Sequence, residues 1–144
     1  MPISYQIYPE LKLVYAKGTG KLHLADVIDH LLCLANDPAY LAPMLKLVDC
    51  REMDLEGFSF SEVRRVAAMK EGLLDHFRGE RSAFVMNSAL GYGIGRQHQS
   101  LMGDADLDIG IFRDFNEALR WLAPGVTGEQ LISGWNGTVA GAYR

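Results

Sequence analysis

The chain has 144 residues, the length of one ordinary domain, so a single hydrophobic core is expected rather than the two lobes of a larger enzyme. Hydrophobic residues make up 49% and charged ones 22%, a balance that excludes global disorder. Fourteen basic against eighteen acidic side chains leave a net charge of −4, which removes the positive field that would draw the chain onto nucleic acid.

Two strands are predicted first, over residues 3–8 and 11–17, both rich in branched and aromatic side chains. Pro9-Glu10 between them predicts a tight antiparallel turn. Leu24, Val27, Ile28, Leu31, Leu32 and Ala35 recur at helical spacing, so a first helix ends near Asn36-Asp37-Pro38, with Asp26, Asp29 and His30 off its apolar stripe. The mostly apolar runs at 45–49 and 82–87 read as strands, each followed by a helical segment as a parallel βαβ unit requires. Ser59-Phe60-Ser61-Glu62 is a capping-box pattern that opens a second helix ending before Gly79. Ser88 caps a third through Leu101, weakened by Gly91, Gly93 and Gly95. Residues 107–113 form the last strand, and Asp114 caps a short helix with Phe115, Ala118, Leu119 and Leu122 on one face. The order is ββαβαβαβα.

Residues 123–144 carry five of the fifteen glycines, with Leu131, Ile132, Trp135 and Tyr143 among them. The chain therefore divides into a domain over 1–122 and a glycine-rich tail over 123–144, expected to dock on its own domain or on a neighbouring subunit. No apolar run approaches the roughly 18 residues of a membrane span, and the opening MPISYQIYPE has neither region of a signal peptide, so the cytoplasm is the expected compartment. Cys33 and Cys50 form no CxxC pair and are read as reduced thiols.

The order of elements, together with SYQIYPELKLVYAKGTGKLHLADVIDHL, LKLVDCREMD and LDIGIFRDFNEALRWL, resembles the SpoIIAA-like family, a branch of the STAS (sulfate-transporter and anti-sigma-factor-antagonist) domains. The resemblance covers roughly residues 3–122 and rests on hydrophobic patterns, which carry fold further than activity. It implies a mixed sheet of four to five strands with helices mostly on one face. It also implies a role in protein recognition or, through the related Sec14-like fold, in binding apolar ligands. Anti-sigma-factor antagonists are switched by phosphorylation in an Asp-Ser-Ser-Gly turn before the second helix. Here the stretch after Leu47-Val48-Asp49 lacks that turn, and only Ser59 and Ser61 approximate it, among Glu52, Asp54, Glu56 and Glu62.

Gly91-Tyr92-Gly93-Ile94-Gly95-Arg96 sits where a dinucleotide fingerprint would, but GxGxxG requires a third glycine at Arg96 or His98. Close approach of another backbone, a second subunit for instance, explains those glycines better. His23, His30, His76 and His98 are dispersed and match no metal-ligand spacing; no metal, cofactor or catalytic set is expected. The best site lies at the carboxyl ends of the parallel strands, where open α/β sheets hold ligands: Asp49 and Arg51 after one, Asn87 and Ser88 after the next. Cys50 reads as a small buried residue finishing its strand, with no base beside it to make it a nucleophile. Arg64-Arg65 and Arg78, Glu80 and Arg81 are charge clusters of the kind that usually form a solvated face. Trp135, beyond the recognised domain, has no local core and suits an interface.

The expected function is a non-enzymatic recognition or signalling module, probing an unidentified protein and forming a homodimer. The alternative is a carrier or sensor of a small apolar ligand. The two separate on one feature: a carrier needs an enclosed pocket, lined by residues such as Leu31, Ile94 and Leu101, of about 300 to 1,000 Å³ for a typical ligand.

Overall fold

Strand β1 (Ser4–Tyr8) folds back antiparallel onto β2 (Leu13–Lys17), with Tyr5 opposite Ala16 and Ile7 opposite Val14, in a computed structural model that describes residues 3–139. The connection is longer than a tight turn. Pro9–Leu11 forms one turn of 3₁₀ helix, and Lys12 adopts a left-handed φ of 49° to release the chain into β2. After the short β3 (Gly20–Lys21) come α1 (Leu24–Ala35), β4 (Leu45–Asp49), the short β5 (Met53–Asp54), α2 (Phe60–Gly72), β6 (Arg81–Val85), α3 (Ala89–Leu101), β7 (Asp108–Phe112) and α4 (Phe115–Leu122). With the minor β3–β5 pair set aside, this is the expected ββαβαβαβα order.

The main sheet runs β7-β6-β4-β2-β1, parallel from β2 to β7 and antiparallel at the hairpin. Each crossover from β2 to β4, β6 and β7 steps one strand in the same direction. Right-handed crossovers then place α1, α2 and α3 on one face. The mixed α/β sheet with most helices on one side is therefore as the sequence indicated.

Strand alternation sorts the core into two layers. Ile3, Tyr5, Ile7, Val14 and Ala16 meet α1 and α2, while Leu13, Tyr15, Leu47, Ala83 and Val85 meet α4 on the opposite face. Ser59 accepts from the Glu62 amide and Glu62 reaches back to the Ser59 amide, completing the capping box; Ser88 and Asp114 cap α3 and α4 as read.

The stretch after α4 adds α5 (Gly128–Ser133) and a two-residue strand β8 (Thr138–Val139), which pairs antiparallel with β1 and makes a sixth strand. Leu131 is fully buried in the α4 layer, its carbonyl accepts from the Tyr8 hydroxyl, and Gln6 Oε1 accepts from the Asn136 and Gly137 amides. Tyr143 lies outside the described residues.

Three expectations are corrected. The buried face of α1 is rotated from the predicted stripe: His30, Leu31 and Leu34 are buried and Leu32 is 37% exposed, because the sheet and α2 cover a face centred on position 31 rather than 28. Glu80 belongs to no solvated cluster, being 1% exposed. The glycines of α3 admit the chain's own neighbours: a Cβ at Gly95 would stand 3.0 Å from Ile111 Cδ1, and one at Gly91 would stand 3.1 Å from Leu55 Cδ1.

Candidate functional site

At the carboxyl ends of β2, β4 and β6, Asp49, Arg51, Asn87 and Trp135 of the sequence-predicted residues gather on the α4 side, whereas Ser59 and Ser61 lie at the start of α2 and Ser88 at the start of α3. Arg51 grips Asp49 in a fork, Nε to Oδ1 at 2.9 Å and Nη2 to Oδ2 at 2.8 Å, and the Tyr15 hydroxyl donates to Oδ2 at 3.2 Å. Asn87 Nδ2 donates to the Arg51 carbonyl at 2.6 Å, and the guanidinium lies 4.7 Å over the Phe115 ring. Trp135 packs edge-on against Tyr15 with centroids 5.3 Å apart, under Lys17 Nζ at 4.4 Å. The tail thus supplies Trp135 with the local core that the sequence did not show.

Burial pushes the Asp49 carboxyl up, but the bonds from Arg51 and Tyr15 outweigh it and hold the group below the ordinary carboxylate value. Both carboxylate oxygens already have donors, so the arrangement works as a knot closing the strand ends rather than as an acid or base. Ser88 and Ser59 spend their hydroxyls on helix caps, and Ser61 is exposed on the first turn of α2. Cys50 is buried, and that burial, with Asp49 nearby, pushes its thiol up to about 12. It is a poor nucleophile.

The opposite face holds a pocket of the kind the carrier alternative requires, with a polar lining that the sequence reading did not foresee. Between the sheet and α1, α2 and α3 lies a cavity of about 120 Å³, walled by apolar side chains such as Leu31, Val48, Leu55, Phe84, Met86 and Ile94. Leu31 and Ile94 line it as a carrier requires; Leu101 does not, being 37% exposed. Its floor is polar. Lys46 from β4, Glu80 just before β6, Ser82 within it, Lys70 from α2, His30 from α1 and His98 from α3 all line the same space.

Glu80 is saturated. Its Oε1 accepts from Lys70 Nζ at 2.6 Å and from Ser82 Oγ at 3.0 Å, and its Oε2 accepts from the Tyr40 hydroxyl at 2.6 Å. Burial raises its carboxyl, yet Lys70 and Lys46 overcome that and leave it below the ordinary value, hence ionised. Lys46 makes no hydrogen bond or ion pair among the described residues, and burial, followed by repulsion from Lys70, lowers its ammonium to about 7. Both ring nitrogens of His30 are buried without a partner, and burial drives this histidine well below its ordinary value, so it is neutral. His98, edge-on to Phe84, is lowered to about 4 by burial, and its Nδ1 is also unpartnered. Buried polar groups are ordinarily satisfied, so this concentration of unmet donors and acceptors at one cavity needs an occupant.

The architecture is similar to a crystal structure of an uncharacterized protein from the DUF3478 family with a SpoIIAA-like fold, from Shewanella loihica PV-4. The TM-score is 0.54 at 20% identity, covering 85% of this chain and 94% of that one. No family model and no curated protein matches the chain.

The chain has the SpoIIAA-like fold.

Within this SpoIIAA-like domain no helix among the described residues is long and apolar enough to cross a membrane, and no cluster of three or more metal-ligating side chains occurs among them. Reading the sequence alone missed Lys46, Lys70 and Glu80, and treated His30 and His98 only as failed metal ligands. The available signal was Lys46 itself, a charge between Leu45 and Leu47 in a strand that helices cover on both faces.

Proposed function

We propose that this SpoIIAA-like domain is a non-catalytic holder, a carrier or sensor, of a small and largely apolar ligand bound between the sheet and α1–α3. The observation that supports it is the cavity of about 120 Å³ with unpartnered polar groups on its floor. That volume falls below the range for drug-sized ligands, about 300 to 1,000 Å³. It is nearer the roughly 150 Å³ of a cavity known to accept benzene, so the ligand is of that size. Titrating benzene into isotope-labelled protein tests this: amide signals of Leu31, Val48 and Ile94 should shift together and saturate. Shifts scattered over the surface, or none, would refute it.

A recognition role, with an unidentified protein or a second copy as partner, is the other reading, favoured by the resemblance and by Arg64 and Arg65, both exposed on α2. Such a role has no use for a cavity, which ranks it second. Native mass spectrometry of protein from its own cells reports both, as a bound small mass or as a larger assembly.

A further inference from the structure

We propose that the ligand of this cavity is a small organic monoanion, a carboxylate on an apolar body of five or so carbons, with its head at Lys46 and His30. The proposal rests on the holder reading above and adds the chemical class of what is held.

With Lys46 protonated, charge around the cavity does not balance without such a group. Among the ionisable side chains that line it, Lys46 and Lys70 carry positive charge when protonated, Glu80 carries one negative charge, and His30, His98 and the Cys50 thiol are neutral. Lys70 and Glu80 neutralise each other at 2.6 Å. Both Glu80 oxygens are engaged by Lys70, Ser82 and Tyr40, and neither accepts a hydrogen bond from Lys46. The protonated Lys46 is then left as one positive charge with no counter-charge of its own among the described residues.

The donors match a carboxylate. Lys46 offers an ammonium, and His30 offers one ring N–H that has no acceptor. A neutral ligand would leave the ammonium unpaired, and a cation would add repulsion. A free inorganic dianion would bring a second charge without a second lysine to meet it, and would leave the Leu31, Phe84 and Ile94 walls without apolar contact. A carboxylate with a short hydrocarbon body meets both halves of the lining.

Lys46, held near 7 by its burial and by Lys70, regains full protonation once an anion stands beside it. Binding at pH 8 should therefore take up close to one proton, read as a dependence of calorimetric heat on the ionisation enthalpy of the buffer. Three probes of one shape separate the possibilities: pentanoate, pentanamide and pentylamine, titrated into the full chain by calorimetry and NMR. Pentanoate should bind at least tenfold more tightly than pentanamide, with the His30 ring signals shifting, and pentylamine should not bind. Lys46→Met should lose that tenfold preference while pentanamide affinity stays within twofold.

Equal affinities for pentanoate and pentanamide, or an unchanged preference in Lys46→Met, would overturn the anionic head and leave the holder reading standing. Failure of all three probes together with benzene would remove both.

Discussion

An unpaired lysine at the centre of a sheet should weaken the empty protein, and replacing it should reveal by how much. Lys46→Met keeps the length and removes the charge. The ammonium sits at about 7 in the folded state against an ordinary 10.5. At about 1.4 kcal/mol per tenfold change, the charged form is penalised by on the order of 4 kcal/mol at pH 7. The sign follows from which state holds the proton. Below the folded value both states are protonated and the whole penalty is present; between about 7 and 10.5 only the unfolded chain binds the proton, and the penalty shrinks as pH rises; above 10.5 it is gone. The variant should therefore melt higher than the parent by on the order of 10 °C at pH 7, taking roughly 3 °C per kcal/mol for a chain of this size. Toward pH 10.5 the two curves should converge. Thermal unfolding of ligand-free protein across pH 6 to about 10.5 checks it. A variant that is less stable at pH 7, or a difference that does not change with pH, would show that Lys46 has a partner and refute the reasoning. A stabilised variant that has lost carboxylate binding would be the expected exchange of stability for function.

Glu80→Gln removes the counter-charge that Lys70 meets at 2.6 Å and should cost about 3 to 5 kcal/mol in chemical denaturation at pH 7. Because the Glu80 carboxyl lies below its ordinary value, its contribution is lost as pH falls through that range, so parent and variant should approach each other in acid. In α3, Gly93→Ala meets nothing within 4 Å and should gain up to about 1 kcal/mol, whereas Gly95→Val drives carbon into Ile111 from a position where a Cβ already stands at 3.0 Å and should lose about 2 kcal/mol. Urea midpoints of the two variants must move in opposite directions. Trp135→Ala deletes the contacts with Tyr15 and Lys17 and should cost about 2 kcal/mol while leaving pentanoate binding on the other face unchanged. A change in that binding would place the tail in the site.

The fold was legible because its signals are local and repeated. The Ser59–Glu62 capping box, the Ser88 and Asp114 caps and the apolar runs at 45–49 and 107–113 each announce an element within a few residues, and their order leaves few topologies once crossovers are right-handed. The Asp49–Arg51 pair was legible for the same reason, since two residues apart in sequence become one hydrogen-bonded fork. The tail was legible only as composition: Trp135 finds its core through Tyr15, 120 positions earlier, and no periodicity connects them.

The cavity floor fails on different grounds. It takes one residue from each of five elements, at positions 30, 46, 70, 82 and 98, and Glu80 from just before β6, so no window of sequence contains it. Periodicity also assigns every charged residue to the outside, which suits a helix with one wet face and sent His30 and Glu80 the wrong way. Strand β4 has no outside. It lies between β2 and β6 with helices over both faces, so alternation can only choose which interior Lys46 enters. A charge committed to an interior on those terms needs a counter-charge, and the sheet position opposite it in register on β6 is Ser82, whose hydroxyl is already given to Glu80. The missing counter-charge is thus a property of topology rather than of sequence, and it points to a ligand that brings its own negative charge.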